Sequence, residues 1–361
     1  MGLDLLIVLI KTLFFITCVL TLTSLLTWME RKQSAVMQDR LGANRASIFG
    51  VRAFGLCHIV SDALKMFFKE DYVPPEGDKL LHTAAPFATL FFALMSFAAI
   101  PFGDAIQIAG RRVELQVLPL SVGLLFVFAM MSLGIYGTFL AGFSSNNKYA
   151  FLGGLRASSQ MISYEITMGA TLVGLLMIFG TLDLAEINRA QGGLLWGWLP
   201  KWGIVLQPVG FLLFVAAGMA ETKRVPFDLP EGESEIVGYF VEYSSMKFGA
   251  FFMADFIETI LIASLIASLF FGGWQIPYLH SDGFHFPGGS FFTVSHILVT
   301  LLQIAAFAFK VVFFCWFLLL IRWTLPRFRY DQLMRLGWKY MLPISVLNIF
   351  VTALILLIIK R

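Results

Sequence analysis

The sequence has 361 residues, 58% of them hydrophobic and only 14% charged, with a formal net charge of +3. Apolar runs long enough to cross a bilayer recur along its whole length, since about 20 residues at 1.5 Å each span the ~30 Å hydrocarbon layer. This composition excludes a soluble enzyme, and we expect no nucleic-acid partner. The three cysteines stand far apart without a CxxC pair. The sequence therefore predicts no disulfide framework, no iron–sulfur ligation and no metal site.

Eight apolar stretches define the architecture. We predict an all-α polytopic membrane protein that forms one integral membrane domain over residues 1–361. The predicted spans cover approximately residues 4–28, 82–103, 116–141, 157–181, 203–220, 247–271, 293–321 and 341–359. The fifth span is short, and Pro208 interrupts it. No internal repeat is evident, which argues against an inverted-repeat transporter.

The distribution of basic residues sets the orientation of these spans. The loops that follow helices 1, 3, 5 and 7 hold 17 of the 26 Lys and Arg residues. The positive-inside rule therefore places these loops in the cytoplasm and both termini on the outer face. The same loops hold 14 of the 23 Asp and Glu residues. Such mixed charge favours a docking face for soluble partners or a wet internal path.

The first cytoplasmic loop, residues 29–81, contains a helix of a different kind. Its stretch GLCHIVSDALKMFFKE, residues 55–70, spaces the apolar residues as on one helix face, with Asp62 and Lys65 together on the polar face. We predict an amphipathic helix at the membrane surface. The periodicity alone fits an ordinary surface helix as well as a functional one.

The most acidic stretch, ETKRVPFDLPEGESEIVGYFVEY, lies between the fifth and sixth spans and holds six carboxylates in its 23 residues. The two prolines of PFDLP exclude that part from a helix interior. A helix that begins after the second proline would place Glu231, Glu235 and Glu242 on one face. On composition alone, a solvated acidic surface loop is the alternative.

Two further acids fall inside predicted spans, Glu165 in the fourth and Asp255 in the sixth. A carboxylate is costly inside a bilayer, so it usually faces a water-filled cavity and serves ion or proton traffic. Crowded and partly desolvated carboxylates have raised, coupled pKa values, which lets them hold a proton and pass it on. We interpret Glu165, Glu221, Asp255 and the loop acids as stations on one proton path rather than as a metal site.

Basic and acidic residues alternate where the chain leaves the first and seventh spans, in ERKQSAVMQDRLGANR and RWTLPRFRYDQLMRLGWK. An isolated arginine at such a position usually extends to lipid phosphates. Here Glu30, Asp39 and Asp331 are interleaved with the basic residues. This mixture indicates salt-bridged loops that line a polar pocket at the membrane surface. The arginines concerned are Arg31, Arg40, Arg322, Arg327 and Arg329.

Six stretches of the chain together resemble one family, the quinone-site membrane subunit of respiratory complex I, called the H-subunit family below. They are ERK (30–32), QDRLGANR (38–45), SDALKMFFKE (61–70), SNNKYAFLGGLRASSQMISYE (145–165), ETKRVPFDLPEGESEIVGYFVEYSSMKFG (221–249) and PRFRYDQLMRLGWK (326–339). They follow in order across nearly the whole chain, and the family's eight helices agree with the predicted count. The resemblance implies a membrane-arm subunit of the proton-pumping NADH:quinone oxidoreductase in a bacterial inner membrane.

The resemblance also implies roles for individual residues. The candidates for the quinone chamber and its mouth are Arg31, Arg40, Asp62, Lys65, Phe227, Arg322 and Arg327. The candidates for an acidic proton funnel are Glu165, Glu221, Asp228, Glu231, Glu233, Glu235, Glu242 and Asp255. This chain would hold no cofactor and no catalytic residue: quinone is the substrate, and the iron–sulfur clusters and flavin belong to partner subunits. The expected partners are quinone-module subunits of the hydrophilic arm, small membrane-arm subunits and lipids.

Some positions depart from the family's usual pattern. Lys223 stands where asparagine is usual, Asp255 stands where glutamate is usual, and the segment from Asn44 to Gly55 is several residues longer. Subunits of membrane-bound hydrogenases and of deazaflavin-linked dehydrogenases share parts of the pattern. The membrane acids also permit a stand-alone proton or cation transporter. The full ERK, PFDLPE and RYDQLM set favours the quinone enzyme, and the charged cytoplasmic face argues against an independent transporter.

Overall fold

The computed structural model describes residues 2–108, 111–195, 198–230, 232, 236, 238–280, 283–285 and 291–359. The helices of this part of the chain are α1 (Gly2–Met37), α2 (Cys57–Phe68), α3 (Lys79–Ser96), α4 (Gly123–Ser144), α5 (Lys148–Phe179), α6 (Leu184–Ala190), α7 (Gly203–Leu206), α8 (Pro208–Glu221), α9 (Ser245–Phe270), α10 (His296–Thr324), α11 (Tyr330–Arg335) and α12 (Leu342–Ile359). Short antiparallel strands pair in the loops: β1 (Ile106–Ile108) with β2 (Arg111–Val113), and β3 (Leu194–Leu195) with β4 (Leu199–Pro200). A third sheet has β6 (Gly283–His285) in the middle, paired with β5 (Leu279–His280) on one side and β7 (Phe291–Thr293) on the other.

Seven of the described helices are long and apolar enough to cross a membrane: α1, α3, α4, α5, α9, α10 and the continuous run of α11, a π-helical turn (Leu336–Met341) and α12. The prediction of an all-α polytopic membrane protein is therefore confirmed, whereas the count of eight spans is not. The predicted fifth span is broken into α7 and the 14-residue α8. The break lies at Gln207, whose φ of −141° and ψ of 63° are not helical, and Pro208 begins the second piece.

Two helices extend beyond their predicted bounds and carry polar residues with them. α1 continues to Met37 rather than ending at residue 28, so Glu30 and Arg31 lie on its last turns and not in a loop. α5 begins at Lys148 rather than at residue 157. The side chain of Asn147 accepts a hydrogen bond from the Tyr149 N–H and caps this earlier start.

Helix α9 forms the centre of the molecule. It packs against α1, α3, α8 and α10 on its sides and against the surface helix α2 near its N-terminal end. Every residue from Ala254 to Phe270 is buried. Helices α1 and α12, in contrast, expose most of their apolar side chains on the outside of the bundle. The two carboxylates of α9, Asp255 and Glu258, are therefore enclosed by protein rather than by lipid.

The surface helix is confirmed as α2, and its exposed apolar residues include Val60, Leu64 and Phe67. The longer segment before it closes on itself, with an isolated bridge between Ile48 and Val51. The ring of His58 fastens the segment to α2, because its Nε2 accepts hydrogen bonds from the backbone N–H groups of residues 45 and 46 at 3.2 Å each.

The helix predicted after the second proline of PFDLP does not reach residues 239–242. Residues 239–242 form turns rather than a helix. Gly238 has a φ of +126°, which no helix accommodates, and it opens a sharp turn. This turn brings the backbone of Tyr239 against Gly153 of α5, where a Cβ would lie 2.9 Å from the Tyr239 nitrogen. Close packing between loop and helix has overridden the local acidic pattern.

Candidate functional site

A pocket of about 410 Å³ lies between α1, α2 and α9. Its volume falls within the range of small-molecule sites, about 300–1,000 Å³. Four charged side chains stand among its walls: Arg31 from α1, Asp62 and Lys65 from α2, and Lys69 just after α2. Arg31 and Asp62 form an ion pair at 2.6 Å. The larger apolar walls are Ile59, Met66, Phe248, Phe252, Met253 and Phe256. An apolar cleft with a few cations suits a planar ligand that has polar edges and an apolar tail.

A network of ion pairs lies behind the α9 wall of this pocket. Arg224, in the loop after α8, places its guanidinium 3.8 Å from the ring centre of the pocket residue Phe256. The same guanidinium donates to the Glu30 carboxylate on α1 at 2.8 Å. Arg322 at the end of α10 pairs with the other oxygen of Glu30. Glu30 therefore joins α1, α10 and the acidic loop directly behind the pocket wall.

The neighbouring residue, Lys223, turns its side chain into the protein interior. Its Nζ lies 3.0 Å from the Asp255 carboxylate and 3.4 Å from the Glu258 carboxylate, and its side chain is 0% exposed. Burial lowers the pKa of Lys223, but the negative charges of Asp255 and Glu258 raise it more, so it ends well above its ordinary value. The ammonium of Lys223 thus lies in front of two carboxylates of α9, which favour its charged form.

Glu221, the last residue of α8, faces a small internal cavity of about 10 Å³, which is room for about one water molecule. Glu258 of α9 lines the same cavity, together with Ser96 of α3. Neither carboxylate oxygen of Glu221 has a hydrogen-bond partner among the described residues. Glu165 on α5, which accepts a hydrogen bond from Ser132, is near enough to repel Glu221 electrostatically.

Asp228 occupies a separate place, beside the chain that follows α10. Arg327 donates to its carboxylate at 2.9 Å. Burial raises the pKa of Asp228 to about 6, although Arg327 and Arg322 act in the opposite direction. The adjacent Phe227 is buried and stacks on Phe328, with ring centres 5.5 Å apart. These contacts hold PFDLP firmly against the chain that follows α10.

Comparison with known proteins decides the family. The sequence matches the family described as NADH dehydrogenase over residues 10–353. It is 40% identical to an H subunit of the NADH-quinone oxidoreductase of Cytophaga hutchinsonii over 352 residues, which cover 97% of this chain and 96% of that protein. It is 44% identical to an H subunit of the same enzyme from Geobacter sulfurreducens over 349 residues, with 96% and 95% of the two chains covered. The chain belongs to the H-subunit family of NADH-quinone oxidoreductase. The hydrogenase, deazaflavin-linked dehydrogenase and independent transporter alternatives are not favoured.

The structure brings together some of the residues that the H-subunit resemblance singled out and separates others. Arg31, Asp62 and Lys65 share the pocket. Arg40 lies outside it: this side chain is exposed and donates to Gln38 at 2.7 Å. Glu221 lines the small cavity, Glu165 is near enough to repel Glu221, and Asp255 pairs with Lys223. The remaining candidates, Phe227, Asp228, Arg322 and Arg327, lie where the loop after α8 meets the end of α10.

One further acid of the H-subunit pattern, Glu242, lies away from this cluster. Glu242 lies near the surface, where it accepts a hydrogen bond from Asn147 at 2.8 Å and lines a surface pocket with Glu76. The turn conformation of residues 239–242 explains why Glu242 shares no helix face with the other acids. The other three predicted acids, Glu231, Glu233 and Glu235, lie outside the described residues.

The sequence interpretation missed three residues of the site. Glu258 was overlooked, although FFMADFIE places it one helical turn after Asp255, where both side chains reach one face. Glu30 was assigned to a loop, yet it connects two arginines. Ser132 in the third span gave no signal of its own, since a hydroxyl inside an apolar helix usually bonds only to its own backbone.

Proposed function

We propose that this chain is the membrane-arm subunit of proton-translocating NADH:quinone oxidoreductase that receives the quinone headgroup in the pocket between α1, α2 and α9. When the quinone is reduced, the change of charge in this pocket alters the proton affinity of the acids behind α9. One observation carries the proposal: the pocket and the buried acids are joined by contacts from Phe256 to Arg224 and, through the adjacent Lys223, to Asp255 and Glu258.

The walls of the pocket match the chemistry of a quinone. The ring and isoprenoid tail of a quinone are apolar, and the aromatic and methionine side chains of α2 and α9 offer matching surfaces. The two carbonyl oxygens need hydrogen-bond donors, which Arg31 and Lys65 supply at the polar end. The chain itself offers no electron carrier in this proposal. Electrons arrive from an iron–sulfur cluster and a flavin that belong to partner subunits of the hydrophilic arm.

The coupling between pocket and acids is electrostatic. Quinone reduction consumes two electrons and two protons, so negative charge develops in the pocket before the protons arrive. A unit charge about 10 Å away shifts the energy of an acid by about 1.7 kcal/mol at an effective dielectric constant of about 20. That energy changes proton affinity by more than tenfold. The cluster of acids behind α9 therefore gains a proton when the quinone is reduced and loses it when quinol leaves.

The assignment of sides follows from the charge distribution. Both termini lie on one face only if the number of crossings is even, so the broken segment α7–α8 makes the eighth crossing beside the seven long apolar helices. The basic loops lie at the ends that carry α2 and the acidic loop. We place these ends in the cytoplasm of a bacterial cell and both termini on the outer face of the inner membrane. The hydrophilic-arm subunits then dock beside the pocket, and small membrane-arm subunits and lipids cover the exposed faces of α1 and α12.

A matched pair of substitutions on α2 tests the pocket. Ala63 lines the pocket, so Ala63→Phe fills part of its volume. Leu64 is 51% exposed and does not line the pocket, so Leu64→Phe places the same new side chain outside it. We measure NADH-driven quinone reduction in native membranes over a range of quinone concentrations, with an artificial acceptor that bypasses quinone as the assembly control.

Ala63→Phe should raise the KM for quinone about tenfold or more while the artificial-acceptor rate stays unchanged. The reason is that a lost apolar contact surface is worth roughly 1–3 kcal/mol, or tenfold upward in affinity. Leu64→Phe should resemble the wild type. If an assembled Ala63→Phe complex showed wild-type quinone kinetics, this pocket would not be the quinone site.

A further inference from the structure

Four ionisable groups lie together behind α9, and only one of them is a cation. The side chains of Asp255 and Glu258 are 10% and 8% exposed, and that of Lys223 is fully buried. Glu221 is 1% exposed. Burial of an unpaired charge costs several kcal/mol, so the distribution of one positive charge among three acids decides which acids are ionised.

The backbone directs the ammonium of Lys223 inward. Lys223 follows α8 and has a φ of +54°, in the left-handed region that lysine seldom adopts. A lysine at the end of a membrane helix ordinarily extends toward lipid headgroups and water. Here the strained backbone carries the side chain toward α9, where its Nζ also lies 5.9 Å from the ring centre of Tyr239. The inward position of the Lys223 side chain therefore accompanies a particular backbone conformation and is not a rotamer choice alone.

The acids differ in their access to this cation. Asp255 and Glu258 lie within 3.4 Å of its Nζ. Glu221 forms no such contact, and both of its oxygens are without a hydrogen-bond partner among the described residues. An ionised carboxylate in this position would be a buried charge without a contacting cation or donor, whereas a protonated carboxyl group avoids the cost of the buried charge. The small cavity that Glu221 shares with Glu258 leaves room for about one water molecule beside the carboxyl group.

We propose that Lys223 is a positioning residue, a fixed counter-ion that favours the ionised forms of Asp255 and Glu258 and leaves Glu221 as the acid of this cluster that binds and releases the transferred proton. This inference rests on the proposed function. The charged and titratable groups that face Glu221 are Glu165 from α5, Glu258 from α9 and Lys223 from the loop.

Charge-balanced variants test the counter-ion. Lys223→Asn removes the cation, Glu258→Gln removes one carboxylate, and the double variant removes one of each. Lys247→Gln is the matched control, because Lys247 also lies on α9 in an ion pair, with Asp71 at 3.0 Å, but outside this cluster. The readout is the pH profile of NADH-driven proton translocation by the purified complex in vesicles.

Lys223→Asn should move this profile to higher pH by about one unit or more, because acids without a nearby cation retain their protons to higher pH. The double variant should return the profile to within a few tenths of a unit of the wild type, and Lys247→Gln should leave it unmoved. An unmoved profile in Lys223→Asn overturns the proposal. If Lys223→Asn fails to assemble, assembly of the double variant supports the counter-ion, and failure of the double variant overturns it.

Infrared spectroscopy identifies the proton-holding acid without any substrate. A pH titration of the purified complex should show a carboxyl C=O band that is absent in Glu221→Gln and retained in Glu258→Gln. The reverse pattern overturns the assignment of Glu221. Because no quinone is present, this result is independent of the pocket. The Ala63→Phe kinetics test the quinone pocket, and the infrared titration tests the acid cluster, so failure of one proposal can be told apart from failure of the other.

Discussion

The carboxylate of Glu30 offers the sharpest test of how the pocket wall is held in place. Its side chain is 15% exposed, and the two guanidinium groups that it joins, Arg224 and Arg322, are 10% and 24% exposed. Glu30→Gln keeps the shape of the side chain and removes its charge. Loss of one partner from a buried ion pair usually costs 3–5 kcal/mol. Because this network keeps some contact with solvent, we expect the lower end, about 3 kcal/mol.

A second ion pair on the same chain supplies the comparison. Arg329 and Asp331 pair at 2.9 Å, but their side chains are 79% and 56% exposed. Asp331→Asn should therefore change stability by less than about 1 kcal/mol. Heating of the purified complex, followed by native gel electrophoresis, measures the fraction that keeps this chain assembled. A difference of about 3 kcal/mol is more than a hundredfold in the equilibrium constant. Equal heat sensitivity of Glu30→Gln and Asp331→Asn would refute the reasoning.

Two further predictions concern pH and helix ends. The folded protein holds the Asp228 proton more tightly than the unfolded chain, since its pKa rises from 3.8 to about 6. Stability from the protonated form is complete below about pH 4 and is lost as the pH rises to about 6. Asp228→Asn should remove about 2–3 kcal/mol of this pH dependence, as measured by thermal denaturation from pH 4 to 7. Lys310 on α10 donates to three carbonyls beyond α9, those of residues 271, 273 and 275, at 2.7–2.8 Å. Lys310→Met should lower stability by about 3 kcal/mol or more in the same assay, whereas an unchanged midpoint would show that water replaces the ammonium.

The predictable parts of the fold are those that depend on long apolar runs. A run of about 20 apolar residues has few alternatives to a membrane helix, since every backbone polar group must be paired inside the hydrocarbon layer. The bounds of these helices were less predictable. Polar turns extend α1 to Met37 and start α5 at Lys148. These polar turns extend beyond the apolar layer. Side-chain caps, such as that of Asn147 on α5, set where such a helix begins or ends.

Only part of the candidate site could be predicted from the sequence alone. Arg31, Asp62 and Lys65 were predictable from the family's motifs, and the structure places them in one pocket. The partners of Lys223 were not, because the carboxylates of Asp255 and Glu258 lie more than 30 residues further along the chain, on α9. Contacts of this kind depend on how distant helices pack, and no local pattern contains that information.

The position of Glu242 also could not be predicted from local spacing. Helical spacing grouped it with the other acids of its loop, but close packing of Tyr239 on Gly153 excludes that helix. The tertiary contact outweighs the local preference of an acidic segment, since a loop residue gains more from buried packing than from helix propensity. Spacing is therefore a weaker guide in loops than in the membrane helices.

The most direct test of coupling between the pocket and the buried acids is a paired measurement on Glu221→Gln. Purified complex is placed in vesicles, and NADH-driven quinone reduction and proton translocation are recorded in the same preparation. The control is Glu76→Gln, a surface carboxylate that accepts a hydrogen bond from Asn146 at 3.2 Å. If the acids respond to quinone reduction, both rates fall together in Glu221→Gln and neither falls in the control. Wild-type rates of both reactions in an assembled Glu221→Gln complex would contradict the coupling.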